Sequence, residues 1–209
     1  MLVDDAGLGE AQKKLFGAVV SAAMNRSTET LSKMTGARVR VESLRFDLVP
    51  IVATAELAGG PDVPAVGVYL SVYGDLVGHV LMLFPESSAY ELVDLLCEMP
   101  KGTCKSLDSM GKSCLGEVGN ITGTSFLIGL SDHTGLMLRP SPPEVVQDMV
   151  GAILSTILAD LSMVGDEVFV IETRFTAEKA SIAGTFLFVP RGDSLHKILS
   201  SAELHVDGN

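Results

Sequence analysis

LSKMTGARVR at Leu31–Arg40 and LSDHTGLMLR at Leu130–Arg139 carry leucine, serine, threonine, glycine and arginine at the same places, 99 positions apart. Before the first copy, Leu15, Phe16, Val19, Val20, Ala23, Met24 and Leu31 recur at helical spacing, which predicts a long helix from Glu10 to about Thr35 that Gly36 stops. The second copy predicts a matching helix from about Asp108 to His133, stopped at Thr134-Gly135. A later pair, VLMLFP at Val80–Pro85 and TFLFVP at Thr185–Pro190, repeats in the same order along the chain. Two ordered matches point to an internal duplication, with half-repeats over residues 9–99 and 106–204 of one domain.

Between these landmarks the pattern alternates. Arg38–Leu48, closed by Pro50, Val66–Val72, Gly78–Phe84, Val168–Phe175 and Ile182–Val189 read as strands. YGDL before Gly78 fits a hairpin, and Gly59–Pro64 reads as a loop. Ser87 or Ser88 is positioned to cap a helix to about Glu98, the polar stretch Pro100–Leu107 reads as a linker, and a short helix near Ser194–Ser201 ends the pattern. Pro142-Pro143-Glu144 predicts a helix start, running to about Met163, as an insertion in the second half. The expected fold is α+β: two halves related by a pseudo-two-fold, sharing an antiparallel sheet packed with the long helices.

Of the 209 residues, 47% are apolar and 20% charged, a composition that excludes wholesale disorder. A formal net charge of −11 argues against nucleic acid, whose recognition needs lysine and arginine to displace counterions. The opening MLVDDAGLGEAQKK has early acids and no apolar run of signal-peptide length, and Val145–Leu161 is too short and too interrupted to insert in a membrane. The expected location is cytoplasmic. Cys97, Cys104 and Cys114 have no CxxC spacing and read as packed thiols, and His79, His133, His196 and His205 are scattered, so no metal or nucleophilic centre is expected.

The polar signal lies in SCLGEVGN, Ser113–Asn120. At about 100° per residue, Ser113, Glu117 and Asn120 fall within roughly 60° of one another, and Thr124 extends the stripe. Leu115, Val118, Ile121 and Phe126 point away. Gly116, Gly119 and Gly123 suggest a helix that another protein can approach closely. Asparagine is mildly unfavourable inside a helix, which makes Asn120 the harder residue to explain by solvation alone. At the same offset the first half has Lys14, Ala18, Ser21 and Leu44 in place of Ser113, Glu117, Asn120 and Pro143, so one face is equipped and the other plain.

The spacing of Ser113, Glu117, Asn120 and Pro143, with EVGNITGTSFLIGLSDHTGL and RPSPPEVVQDMVGAIL around it, resembles the CheC-type chemotaxis phosphatases, relatives of CheX and of the phosphatase domain of FliY. The resemblance implies removal of the phosphoryl group from the aspartate of a CheY-type response regulator. Asn120 would hold the attacking water and Glu117 would pair with the regulator's lysine. Ser113 would be peripheral support, and Pro143 would shape the start of the neighbouring helix. No cofactor would belong to this chain, because the regulator supplies Mg²⁺. A CheD-like deamidase is the second partner implied. Many members carry the motif twice, and its absence from the first half here implies one active site. The alternatives are a non-catalytic binding module for a response regulator or CheD-like deamidase, a polar dimer contact, and a flagellar-switch component, for which a further C-terminal domain would be expected.

Overall fold

The repeated LSxxTG motif builds the same helix end twice. In the first half the Thr35 hydroxyl donates to the Leu31 carbonyl at 2.9 Å and its oxygen accepts from Ala37 N at 3.3 Å. In the second, Thr134 donates to the Leu130 carbonyl at 2.7 Å and accepts from Leu136 N at 3.3 Å. Gly36 and Gly135 follow with φ of 62° and 69°, a left-handed turn that a Cβ would oppose. Motif and local structure are therefore the same object, repeated.

The computed structural model describes residues 10–50, 53–162, 167–177, 182–191 and 194–207. In order they form α1 (Glu10–Thr35), β1 (Val39–Pro50), α2 (Thr54–Leu57), β2 (Pro64–Gly74), β3 (Gly78–Pro85), α3 (Glu86–Leu96), α4 (Ser109–Thr134), β4 (Leu138–Pro140), β5 (Glu144–Met149), α5 (Val150–Ser162), β6 (Glu167–Ala177), β7 (Ala183–Pro190) and α6 (Ser194–Asp207). The opening residues 1–9 and Met163, the expected end of the inserted helix, lie outside the described residues. No helix among those described is long and apolar enough to cross a membrane.

One antiparallel sheet runs β1-β6-β7-β3-β2-β4, with β5 also paired to β2. Exchanging each strand for its repeat partner reverses this order onto itself, as a two-fold axis between β3 and β7 requires. Alternation along the strands divides the core between two faces. Val66, Val68, Leu70 and Val72 of β2, with Phe186 and Phe188 of β7, face α1, α3, α4 and α6. Ala65, Leu81, Leu83 and Leu187 face α5 and α2.

Two expectations fail locally. The helix expected from Pro142 begins only at Val150, because Glu144–Met149 pairs with β2 from Tyr69↔Glu144 to Pro64↔Met149. An otherwise unpaired edge of β2 outweighs the local helical pattern. The Ser141-Pro142-Pro143 break separates β4 from β5, with Ser141 N donating to the Ser71 carbonyl and Ser141 Oγ accepting from Ser71 N. The second failure is the serine cap. α3 starts at Glu86 without a side-chain cap, and Ser88 is buried, its Oγ accepting from Ala183 N at 3.1 Å. That bond ties α3 to β7.

The stretch after α3, read as a polar linker, is wrapped around a carboxylate. Asp94, 2% exposed, accepts from Gly102 N (2.6 Å), Thr103 N (3.1 Å) and Cys104 N (2.7 Å). Replacing Asp94 with alanine leaves these donors without their acceptor, and a loss of about 2–4 kcal/mol is expected in urea unfolding. A change below about 0.5 kcal/mol would mean that the loop is held by other bonds.

Candidate functional site

α4 is positioned from both ends and from below. Asp108 Oδ1 accepts from Gly111 N at 2.8 Å as the N-cap, and Gly135 closes the other end. Beneath, Phe126 meets Phe186 and Phe188 with centroids 4.9 and 5.3 Å apart. Along one flank α1 crosses: Ser27 Oγ donates to the Thr122 carbonyl at 3.0 Å, and Arg26 pairs with Asp132 at 3.1 Å. A Cβ on Gly129 would come within 2.7 Å of Ala23 Cα, so the helices touch backbone to backbone there.

The glycines of the motif do a different job from the one their spacing suggested. Gly116, Gly119 and Gly123 are buried, facing the molecule's own interior and not a visiting protein. A Cβ on Gly119 would lie 2.2 Å from Val68 Cγ1, and one on Gly123 would lie 3.2 Å from Leu70 Cδ1. The small residues seat α4 on β2.

What α4 leaves outward is the predicted stripe. Ser113 and Glu117 are exposed, and Asn120 and Thr124 are half-buried. Glu117 and Asn120 stand about 4.5 Å apart along the axis. Neither side chain makes a hydrogen bond or ion pair among the described residues. Ser113 differs, since its hydroxyl donates to the Ser109 carbonyl at 2.9 Å. Pro143 comes to the same place from another element, its Cγ 3.7 Å from where a Gly116 Cβ would be, beside Val145 Cγ2 at 3.6 Å. It opens a strand and not the expected helix, and its ring backs the turn that presents Glu117.

Two apolar residues prolong the stripe and were passed over in the sequence. Met110 is 64% exposed and Ile128 is 41% exposed. They lie seven residues before and eleven after Glu117, spacings that return to nearly the same helix face, so the count that found the polar residues could have found them. On α1 the equivalent positions are plain: Lys14 and Ala18 are exposed and Ser21 is half-buried. The equipped face thus offers an acceptor-only carboxylate and an amide with both donors and an acceptor, flanked by apolar surface.

Residues 110–146, which span the stripe and Pro143, match the model of the CheC-like family. The chain is 30% identical over 196 residues to the CheY-P phosphatase CheC of Bacillus subtilis (strain 168), covering 92% of this chain and 94% of that one. Its fold is similar to that of Thermotoga maritima FliY, with a TM-score of 0.75 at 20% identity over 95% of this chain and 99% of the other. It is also similar to the CheX–CheY–BeF3–Mg²⁺ complex from Borrelia burgdorferi, with a TM-score of 0.54 at 15% identity over 83% of this chain and 98% of that one. With that identity carried over nearly the full length of both chains, this protein belongs to the CheC-like family.

Proposed function

We propose that this protein hydrolyses the phosphoryl-aspartate of a CheY-type response regulator, using Glu117 and Asn120 on the outer face of α4. The observation that carries the reading is that a glutamate and an asparagine, one turn apart on a firmly seated helix, lie on its outer face with no side-chain partner among the described residues. The names of the Bacillus relative and of the Borrelia complex support a CheY-type partner.

In this reading the receiver domain brings the acyl phosphate, the Mg²⁺ beside it and a lysine, and this chain brings only positioning. The Asn120 carbonyl accepts a hydrogen bond from a water placed in line with the aspartyl-phosphate bond, while its NH₂ donates to a phosphoryl oxygen. The water oxygen bonds to phosphorus, the bond to the aspartyl oxygen breaks, and the water proton leaves with inorganic phosphate. The receiver aspartate is returned as a carboxylate. Glu117 pairs with the receiver's lysine and fixes the register of α4 in the pocket. Ser113, its hydroxyl engaged by its own helix, and Pro143, behind Gly116, keep the presenting turn in shape.

The test is phosphate release from a receiver domain supplied with Mg²⁺ and a small-molecule phosphodonor, with and without the protein. Acceleration supports the reading, and binding without acceleration would favour the capture module instead. Glu117→Ala is expected to raise the receiver KM by roughly 30-fold or more, the size expected when one member of a desolvated ion pair is removed. It should also flatten the salt dependence of binding, and an unchanged KM would remove Glu117 from the interface.

A further inference from the structure

We propose that Cys97 and Cys114 form a dithiol that a low-molecular-weight disulfide such as oxidised glutathione converts to an internal cystine, stapling α3 to the first turns of the helix that carries Glu117 and Asn120. The inference rests on the thiols alone and is independent of the phosphatase reading.

The two sulfur atoms are 3.3 Å apart, thiol to thiol, although the residues come from different elements. Cys97 is the C-cap of α3, its N–H bonded to the Val93 carbonyl at 3.0 Å, and the chain turns away immediately at Glu98, whose φ is 54°. Cys114 is held on α4, one turn before Glu117. The intervening loop is already fixed by the Asp94 carboxylate. Closing the bond therefore asks for a small approach of two sulfurs and no rearrangement of the loop between them. Both residues are half-buried.

Burial, with the hydrogen bond to Cys97 next, pushes the Cys114 thiol up to about 11. The thiolate of one cysteine of the pair attacks one sulfur of oxidised glutathione and expels one glutathione thiolate. The other cysteine then gives up its proton and attacks the protein-side sulfur of the mixed disulfide, expelling the second glutathione. Two electrons and two protons pass from the dithiol to the oxidant, which ends as two glutathione molecules. Cys104 is not part of the pair: its Sγ lies 3.5 Å from the Ser106 carbonyl, and burial raises its pKa.

The full chain is incubated with oxidised glutathione, quenched by alkylation and mapped by peptide mass. The expected result is a mass lower by two hydrogens, a linked pair of peptides containing Cys97 and Cys114, and full reversal by a reducing dithiol. C97S and C114S should each abolish the link, while C104S keeps it. The oxidised form should melt roughly 5–10 °C higher than the reduced form, as closing a loop of this length predicts. A stable glutathione adduct on Cys97, a link through Cys104, or three thiols that all remain alkylatable would each overturn the proposal.

Discussion

Asn120→Ala is expected to lower stimulated dephosphorylation by about 10²–10³-fold while leaving receiver binding within a few-fold of the parent. The size is that of removing one preorganised group aimed at the reacting centre. The side chain stands on the outer face of α4 with no hydrogen-bond partner among the described residues, so truncation should leave the fold intact. Asn120→Asp separates shape from chemistry: it keeps the outline, loses both donors and sets a negative charge against the phosphoryl oxygens, so it should be no better than alanine. Asn120→Gln offers the same amide one methylene too far out and should recover only part of the rate. Parent activity in Asn120→Ala would remove the amide from the mechanism, whatever happened to binding.

The second large effect is expected in stability and comes from a residue with no side chain. Gly119→Ala should destabilise the protein by about 1–3 kcal/mol, although alanine is favoured over glycine inside a helix by roughly 1 kcal/mol. The new Cβ would lie 2.2 Å from Val68 Cγ1 and 3.0 Å from Val68 Cβ. Val68 is fully buried on β2 and branched at Cβ, so rotation offers it little escape and α4 must rise. Gly116→Ala is the internal control. There the nearest atoms, Val145 Cγ2 and Pro143 Cγ, are at 3.6 and 3.7 Å, ordinary contact distances, so the propensity gain should survive. Urea unfolding of both variants measures the contrast, and Val68→Ala added to Gly119→Ala should restore part of the loss. Equal stabilities for the two glycine variants would mean that α4 is not seated on Val68.

Much of this architecture was legible because the signals were periodic or repeated. The first long helix was read from Glu10 to Thr35 and has those limits, and the second differs from its reading by one residue at each end. The strand hairpins and the shared sheet followed from alternation. What escaped was decided by partners distant in sequence. β5 looked like the start of a helix because its pairing with β2 is not written in its own residues. The offset that aligned the two LSxxTG copies also places Arg45–Leu48, the end of a predicted strand, over Glu144–Gln147, and so carried a signal for strand there.

The site shows the same division. The stripe of Ser113, Glu117, Asn120 and Thr124 could be counted out on a helical wheel. The inward turn of the glycines and the sulfur contact of Cys97 with Cys114 required the sheet and α3 to be in place. Ser88 was misread for a related reason: a serine near a helix start satisfies a cap rule, and here an amide from β7 claimed it instead.

The reversible strand order carries a consequence for how the two halves depend on each other. Among the described residues β1 pairs with β6 alone, and β4 and β5 with β2 alone, so each half completes its sheet with a strand lent by the other. A solitary half would leave its β3 or β7 edge bare and its lent strand with nothing to lie against. Two such halves joined in one chain satisfy each other's open edges. The two long helices α1 and α4, equivalent in that exchange, can then differ on their outer faces with no loss to the architecture they share.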